Sequence, residues 1–130
     1  MKLVLSQGVF DLLHTGHVRH LQEARSLGLL VVGVTVDMRV GKGPDRPILP
    51  QAERLEMVRA LGCVAAADLC TDCIDALRQW KPQILCKDYR YQQIGLLPEE
   101  LAHCAEHGIQ IVYTRPNERT TTSIVEKIRA

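Results

Sequence analysis

The sequence predicts an α/β fold, a doubly wound parallel sheet of the Rossmann-like type, in a single domain over residues 1–130. Strand and helix patterns alternate along the whole chain, and the strand segments are continuously apolar, which is typical of strands covered on both faces. Helical segments lie between them, as the crossover connections of parallel strands require. A chain of 130 residues fits one compact domain that buries about two-thirds of its unfolded surface.

The first half of the chain is predicted to form a βαβ unit, a loop and a helix. The strand KLVLSQGVF is followed by a helix that Gly28 ends, and the second strand, LLVVGVTVD, is rich in β-branched residues. The segment GKGPDRPILP has the glycines and prolines of a loop, and the next helix ends at Gly62. In order, these elements cover residues 2–10, 16–28, 29–37, 41–50 and 51–62.

The second half repeats the alternation. A weak strand, CVAAADLC, precedes a helix that ends before Pro82, and the next strand leads to a helix with Pro98 at its start. The last strand, IQIVYT, is followed by a terminal helix. In order, these elements cover residues 63–70, 72–81, 83–88, 98–108, 109–114 and 123–130.

Charge and hydropathy exclude several classes of partner. Sixteen basic and fifteen acidic side chains give a formal net charge of +1, so we expect no nucleic-acid partner. The apolar run at the N-terminus is too short for the core of a signal peptide or for a membrane span. We therefore expect a cytoplasmic protein without a membrane partner.

Five cysteines and two histidine pairs raise the question of metal binding. An odd number of cysteines without a secretion signal favours reduced thiols. Cys70 and Cys73 form a CxxC pair, but no second pair completes a zinc site, so buried thiols are favoured. His103 and His107 are four residues apart on a predicted helix without the glutamate of a zincin, so a solvated face is favoured. A thiol- or metal-based sensor built on these four residues stays an alternative.

The segment GVFDLLHTGHVRH stands where the first strand passes into the first helix. Doubly wound sheets bind ligands beyond the carboxyl ends of their strands, and free amides at a helix start attract anions. Gly16 permits close approach of a ligand to the backbone, and His14 and His17 can donate hydrogen bonds to phosphate oxygens. The spacing alone is equally compatible with two surface histidines near a helix cap.

Three motifs resemble the cytidylyltransferase-like nucleotidyltransferase superfamily. Its pattern of glycine, any residue, Phe-Asp, two residues and His-x-Gly-His is matched by GVFDLLHTGH, that is by Gly8, Phe10, Asp11, His14, Gly16 and His17. RTTTSIVEKI is similar to the family's Ser/Thr-rich second motif, and AERLEMVRAL is similar to its Glu-Arg helix. The motifs occur in the family's order over nearly the whole chain. The resemblance implies an enzyme that uses a nucleoside triphosphate with Mg²⁺.

Within the superfamily, KGPDRPILPQAERLEMVRALGCV is most similar to the nucleotidyltransferase domain of ADP-heptose synthases, and glycerol-3-phosphate cytidylyltransferases are next. The resemblance implies transfer of a nucleoside monophosphate from ATP, or CTP, to a sugar or polyol phosphate, with release of pyrophosphate. One departure concerns the acceptor pocket: the heptose enzymes usually carry glycine between a lysine and an aspartate, where this chain has Lys87 directly followed by Asp88. A nucleotide-binding domain without turnover is a further alternative.

The resemblance also implies roles for individual residues. The expected catalytic residues, which stabilise charge on the phosphates, are His14, His17, Lys42 and Arg119. The expected nucleotide-binding residues are Gly8, Val9, Phe10, Asp11, Gly16, Arg54, Thr120, Thr121 and Thr122. The expected acceptor-binding residues are Asp37, Lys87 and Asp88. No motif supplies a direct metal site, so Mg²⁺ is expected with the nucleotide, and Asp11 either contacts it or holds a backbone amide.

Several of these residues have structural alternatives. Ser123 and Glu126 form a capping-box pattern, so Thr122 or Ser123 is alternatively a helix N-cap. Lys42 and Arg46 alternatively solvate a loop, in which we expect Lys42 to be mobile or turned outward in the free protein. Arg54 and Glu53 are alternatively an exposed pair worth about 0.5 kcal/mol. Family members are commonly homodimers, and with 4% aromatic residues we expect an aliphatic or polar dimer interface.

Overall fold

The computed structural model of the chain describes residues 1–116 and 121–129, the side chains of residues 121–123 excepted. Its strands are β1 Leu3–Gly8, β2 Leu29–Thr35, β3 Ala66–Cys70, β4 Ile84–Lys87 and β5 Gln110–Tyr113. Its helices are α1 Thr15–Ser26, α2 Gln51–Arg59, α3 Cys73–Trp80, α4 Tyr91–Ile94, α5 Pro98–His107 and α6 Thr121–Arg129, with a 3₁₀ turn at Asp37–Arg39. No helix in these described ranges is long and apolar enough to cross a membrane.

The strands form one sheet in the order β3-β2-β1-β4-β5, and every neighbouring pair is parallel. The chain starts at the central strand, winds to one edge, and then crosses to the other side of β1. The predicted doubly wound parallel sheet is therefore confirmed. The winding reverses between β1 and β4, and this switch point is where such sheets open a crevice for a ligand.

Both faces of the sheet are buried, which explains why the strands are continuously apolar. Val4 of β1 packs in a core cluster with residues of α1 and α2, whereas Leu5 packs in a second cluster with residues of α3 and α5. Successive side chains of a strand point to opposite faces, so both must be apolar when helices cover both. The alternation continues in β4, where Ile84 belongs to the first cluster and Leu85 to the second.

The ends of several elements differ from the sequence prediction. The short helix α4 and the 3₁₀ turn were not predicted, because elements of three or four residues are too short to show a period. Helix α6 begins at Thr121, so Ser123 lies inside its first turn and the predicted N-cap at Thr122 or Ser123 is wrong. Helix α3 begins after Asp72, whose carboxylate accepts a hydrogen bond from the Asp75 amide at 2.8 Å.

Candidate active site

A cavity of about 530 Å³ opens at the switch point, at the carboxyl ends of β1 and β4. One wall is the turn from β1 to α1 with the N-terminus of α1, and the opposite wall is the N-terminus of α3 with the corner between α4 and α5. The structure brings ten of the sequence-predicted site residues to this cavity, namely Gly8, Val9, Phe10, Asp11, His14, Gly16, His17, Lys42, Lys87 and Asp88.

The β1–α1 turn is strained at Phe10, a residue with a left-handed backbone conformation at φ +52°. Non-glycine residues adopt this conformation at an energetic cost, and they do so where the surroundings fix it. The Phe10 ring is buried and lies 5.4 Å from the His17 ring, centroid to centroid. A Cβ at Gly8 would stand 3.2 Å from the ring, so the glycine of the motif makes room for the phenylalanine.

His14 caps helix α1. Its Nδ1 atom accepts a hydrogen bond from the Gly16 amide at 3.0 Å, and its backbone is extended, as N-cap residues require. Because Nδ1 is the acceptor, the proton of the neutral ring is assigned to Nε2. The His14 and His17 rings are stacked with centroids 3.9 Å apart. The two imidazoles thus form one unit at the start of the helix.

His17 is neutral at physiological pH. Burial of the ring lowers its pKa to about 3, and electrostatic interactions with His14, His20, Lys42 and Arg90 act in the same direction. Its Nδ1 atom is buried and has no hydrogen-bond partner among the described residues. A neutral imidazole keeps one N–H donor and one acceptor, so His17 can donate to an anion without gaining a charge.

Asp11 fastens the turn to the loop that carries Lys42. Its carboxylate accepts hydrogen bonds from the amides of Ile48 and Leu49 and from Arg46 Nε, all at 2.8–3.0 Å. Burial alone raises the pKa of Asp11, but the bonds from the two amides and Arg46 outweigh it, and the net shift is downward. Both oxygens are occupied, so contact with Mg²⁺ is not supported and the alternative, a carboxylate that holds backbone amides, is what the structure shows.

Arg54 does not reach the cavity. The side chain is fully buried and donates from Nε to the Leu49 carbonyl, from Nη1 to the Val9 carbonyl, and from Nη2 to Asp37 Oδ1, at 2.7–2.9 Å. The exposed pair with Glu53 is therefore wrong, and the expected contact of Arg54 with phosphate is not supported by this structure. The physical reason is that α2 packs this position inward, under the end of β1, where a guanidinium can satisfy two carbonyls.

Asp37 is the ion-pair partner of Arg54, at 2.7 Å, and does not line the cavity. Its expected role in acceptor binding is therefore not supported. The Asp37 amide also donates a hydrogen bond of 2.9 Å to Gln51 Oε1, which ties Asp37 to the start of α2. Asp37 therefore belongs with Arg54 to the framework that holds the turn.

Lys42 lies between two glycines with left-handed backbones, Gly41 at φ +62° and Gly43 at φ +105°. Its side chain lines the cavity rather than turning outward, and the expected mobility of the loop stays a prediction. Desolvation lowers the pKa of Lys42, and the neighbouring charges of Arg46 and Arg90 lower it further. Lys42 and Arg90 thus bring two cations to the lining of the cavity, and an anionic ligand would reduce the repulsion between them.

On the opposite side, the end of β4 places Lys87 and Asp88 at the cavity. Lys87 is 4% exposed, with Nζ 4.2 Å from the centroid of the Tyr91 ring. Asp88 accepts a bond of 2.8 Å from Arg90 Nε. Burial alone raises the pKa of Asp88, but the hydrogen bonds and charge of Arg90 outweigh it and lower the pKa.

Polar and aromatic residues that line the cavity and that the sequence prediction missed include Arg90, Tyr91 and His20. His20 is buried, with Nε2 2.7 Å from Ser6 Oγ and Nδ1 2.9 Å from Thr114 Oγ1, and burial lowers its pKa. Its spacing of three residues from His17 on the same helix was the available signal. Tyr91 begins the short helix α4, which Arg90 directly precedes, and the sequence held no pattern for either residue.

Some predicted residues lie outside this description. Arg119 and Thr120 are beyond the described residues, and Thr121 and Thr122 are described as the first residues of α6 without their side chains. Among the described residues, no group of three or more histidines, cysteines, aspartates or glutamates is placed to hold a metal ion.

The cysteines and the second histidine pair do not form a metal or thiol site in the part of the chain that the structure describes. All five cysteines are free thiols, and burial raises the pKa of Cys70 and of Cys73 to about 12. The rings of His103 and His107 are 4.3 Å apart on the outside of α5. The alternative of a thiol- or metal-based sensor is therefore not supported.

The sheet order and the His-x-Gly-His turn at its switch point define the class of nucleotidyltransferases built on a doubly wound sheet. A family model described as cytidylyltransferase-like matches residues 5–127 of the chain. The chain belongs to this cytidylyltransferase-like family, as the resemblance implied.

Curated relatives refine this placement. The chain is 38% identical over 136 residues to the D-beta-D-heptose 1-phosphate adenylyltransferase of Bordetella bronchiseptica, covering 98% of this chain and 82% of the relative. It is 37% identical over 133 residues to the bifunctional protein HldE of Geotalea uraniireducens, covering 98% of this chain but only 27% of that relative. The chain thus spans about a quarter of the bifunctional relatives it matches. The similarity to the ADP-heptose synthase domain is confirmed.

Solved structures agree with the fold. The lipopolysaccharide core biosynthesis protein from Thermoplasma volcanium superposes with a TM-score of 0.77 at 31% identity, over 91% of this chain and 99% of that one. Pantothenate synthetase from Thermus thermophilus superposes with a TM-score of 0.64 at 14% identity, over 92% of this chain and 57% of that one. At that identity the second likeness concerns the fold alone.

Proposed function

We propose that the protein is an adenylyltransferase that transfers AMP from ATP to a sugar 1-phosphate and releases pyrophosphate. The observation that carries the proposal is the stacked pair of His14 and the neutral His17 at the start of α1, in a cavity that also presents Lys42 and Arg90. The relative named as a heptose 1-phosphate adenylyltransferase supports ATP and a sugar 1-phosphate as the two substrates.

The proposed reaction is a substitution at the α-phosphorus of ATP. An oxygen of the acceptor phosphate forms the new bond to this phosphorus, and the bond to the oxygen that bridges to the β-phosphorus breaks. The electron pair leaves with pyrophosphate. Because the attacking oxygen already carries negative charge, no side chain has to remove a proton. The protein accelerates the reaction by aligning two anions and by stabilising charge in the transition state.

His14 and His17 are suited to stabilising charge in the transition state. Their rings and the amides at the start of α1 are fixed before substrate binds, by the cap on Gly16 and by the stacking on each other. Donors held in place in a partly dehydrated site stabilise developing charge without reorganising. In this proposal the histidine pair stabilises the charge that develops on the α-phosphate. Lys42 and Arg90 neutralise the charge of the phosphates that leave as pyrophosphate.

The residues present fit a magnesium ion that enters with the nucleotide rather than one held by the protein. The described residues contain no cluster of metal ligands, and the Asp11 oxygens are occupied. Mg²⁺ commonly keeps several waters and binds through substrate phosphates, where it neutralises charge. Arg119 and Thr120–Thr122 remain proposed contacts of the nucleotide, on the family resemblance alone.

Pyrophosphate release tests the proposed function. The protein with Mg²⁺ is incubated with each of ATP, CTP, GTP and UTP, together with heptose 1-phosphate, glucose 1-phosphate or glycerol 3-phosphate. We expect release with ATP and a sugar 1-phosphate. Release only with CTP and glycerol 3-phosphate would instead favour a cytidylyltransferase. Binding of nucleotide without release for any pair would favour a nucleotide-binding domain without turnover.

A homodimer stays part of the proposal. Large aliphatic side chains are exposed on and beside α4 and α5, namely Ile94, Leu97 and Leu101, and the composition led us to expect an aliphatic or polar interface. Light scattering at micromolar concentration measures the mass directly. A value of 14.6 kDa, that of one chain, would contradict the dimer.

A further inference from the structure

A buried imidazole joins three elements beside the cavity. His20 of α1 is 8% exposed, and it follows His17 by three residues on the same helix. Its Nε2 atom lies 2.7 Å from Ser6 Oγ of β1, and its Nδ1 atom lies 2.9 Å from Oγ1 of Thr114, the residue directly after β5. We call Ser6, His20 and Thr114 the imidazole bridge. Because β4 lies between β1 and β5, the bridge connects two strands that are not neighbours in the sheet.

Every polar side chain of the imidazole bridge has a partner within it. Ser6 and Thr114 are buried, and burial lowers the pKa of His20, which favours the neutral ring. A neutral imidazole donates one hydrogen bond and accepts one, so the ring can serve both hydroxyl groups. Since both ring nitrogens are engaged in this way, His20 can influence a reaction in the cavity only through the groups that it holds.

The stability of the fold does not call for polar side chains at this place. Val4 of β1 and the β4 residues Ile84 and Cys86 form an apolar core on this face of the sheet, to which Ser6 also points because side chains alternate along a strand. Replacing all members of a buried hydrogen-bonded group by apolar groups of similar shape is nearly neutral for stability. Hydrogen bonds, unlike apolar contacts, fix both distance and direction. The imidazole bridge therefore supplies position more than stability.

The imidazole bridge lies directly behind the histidine pair. Ser6 precedes Gly8, where the turn of the motif begins, by two residues, and His20 follows His17 by three. The bond between Ser6 and His20 therefore fixes the first turns of α1 against β1. A shift of α1 along the sheet would move the His17 ring and the amides at the helix start together.

Helix α1 also holds the chain where it leaves β5. Next to Thr114, the Arg115 amide donates to Glu23 Oε2 at 3.0 Å, and Arg115 Nε donates to Glu23 Oε1 at 2.9 Å. Arg119, an expected nucleotide contact, follows Thr114 by five residues in the sequence, a length that spans at most about 18 Å. The position of Thr114 therefore limits how far that contact can reach.

From this arrangement we infer that His20 is a positioning residue of the nucleotide site. Through Ser6 and Thr114 it sets the start of α1 against the end of β5, and so aligns the histidine pair with the nucleotide contacts that follow β5. The inference rests on the proposed function, to which it adds a residue that acts without touching either substrate.

The triple variant Ser6→Ala/His20→Phe/Thr114→Val separates position from stability. It removes both hydrogen bonds and leaves none of the three side chains polar, so it should unfold at the temperature of the wild type or higher. We expect kcat/KM for ATP to fall about tenfold to a hundredfold, the order that a misplacement of about 1 Å costs. The KM for heptose 1-phosphate should change less than about twofold, because the imidazole bridge positions the nucleotide side. Ser26→Ala, at the exposed end of α1, is the matched control.

Binding of a non-transferring analogue gives a readout that does not depend on turnover. Calorimetric titration of α,β-methylene ATP with Mg²⁺ should show binding about tenfold weaker in the triple variant than in the wild type. His20→Gln should restore binding and kcat/KM to within about threefold of the wild type, because a carboxamide also offers one donor group and one acceptor. Ser6→Ala and Thr114→Val each remove one bond, and in a His20→Phe background they should have no further effect on analogue binding.

The outcomes distinguish this inference from the proposed function. Unchanged analogue binding and unchanged kcat/KM for ATP in the triple variant would overturn the inference, as would a His20→Gln variant as defective as His20→Phe. If the triple variant does not fold, the single variants and His20→Gln decide by the same criteria. If the wild type releases no pyrophosphate but its analogue binding depends on the imidazole bridge, the proposed transfer fails and the positioning role stands. If pyrophosphate is released equally by the wild type and the triple variant, the transfer stands and the positioning role is wrong.

Discussion

Asp11 and Arg46 form an ion pair of 2.8 Å in which both side chains are almost completely buried, 1% and 6% exposed. Asp11 belongs to the turn that precedes the histidine pair, and Arg46 belongs to the loop that carries Lys42. Together with the bonds from Asp11 to the amides of Ile48 and Leu49, the pair fixes the distance between the two halves of the phosphate site. Asp11, a residue of the family motif, therefore acts by holding the loop that carries Lys42.

Asp11→Asn is expected to destabilise the protein by about 3 kcal/mol, because it leaves the Arg46 charge buried without its partner and turns an amide group towards existing donors. Chemical denaturation measures the change in the free energy of unfolding. Asp45→Asn in the same loop is the control, since Asp45 is 74% exposed and its loss should matter little. A loss below about 1 kcal/mol in Asp11→Asn would contradict the proposed role.

The contribution of the Asp11–Arg46 pair to the stability of the fold should decrease at acidic pH. The pKa of Asp11 is lower in the folded protein than its ordinary value of about 3.9. Its contribution to stability is therefore present above pH about 4 and is lost as the pH falls through the folded value.

His17→Ala should lower kcat about tenfold to a thousandfold, because the ring is proposed to stabilise charge that develops only in the transition state. The KM for ATP should change less than kcat does. Steady-state kinetics at saturating ATP measures the effect, and His103→Ala, on the outer side of α5, is the matched control. An unchanged kcat would remove His17 from the chemistry.

Stability should rise with pH between about 5 and 6.5. Burial lowers the pKa of His17 from its ordinary 6.5 to about 3, so in this range the unfolded chain binds a proton that the folded protein does not. His20, whose pKa is also lowered by burial, acts in the same direction. For His17 alone the difference between pH 5 and pH 7.5 approaches about 2 kcal/mol. Unfolding free energies at both values measure it, and His17→Asn should reduce the slope.

If the unfolding free energy changes with pH equally in His17→Asn and in the wild type, the His17 ring is protonated to the same extent in the folded and the unfolded state. In that case the neutral pair could not be assumed at physiological pH. The same measurement on His107→Ala gives the contribution of an exposed histidine and serves as the baseline.

The sequence predicted the parallel sheet well because both faces are covered, so each strand carries an unbroken apolar pattern. It also predicted the turn residues at the cavity, although the spacing of glycine and histidine in a strand-to-helix junction was equally compatible with a helix cap and only the family resemblance favoured a phosphate site. It failed for Arg54 and Asp37, because the pattern of a helix shows which residues are charged and not that a guanidinium is buried against two carbonyls. It also missed Arg90, since a four-residue helix has no period to recognise.

Lys42→Ala should weaken ATP binding and lower turnover while affinity for AMP stays nearly unchanged, because Lys42 is proposed to contact phosphates that AMP lacks. The side chain already lines the cavity in the free protein, among cations that lower its pKa, so the triphosphate would supply the missing negative charge. Since Lys42 is exposed, part of this attraction should be screened by salt. Calorimetric titration of ATP and of AMP at low and high salt measures both effects, with Lys2→Ala as the control. Equal weakening of ATP and AMP would show that Lys42 does not contact the β and γ phosphates, and its proposed part in pyrophosphate release would have to be withdrawn.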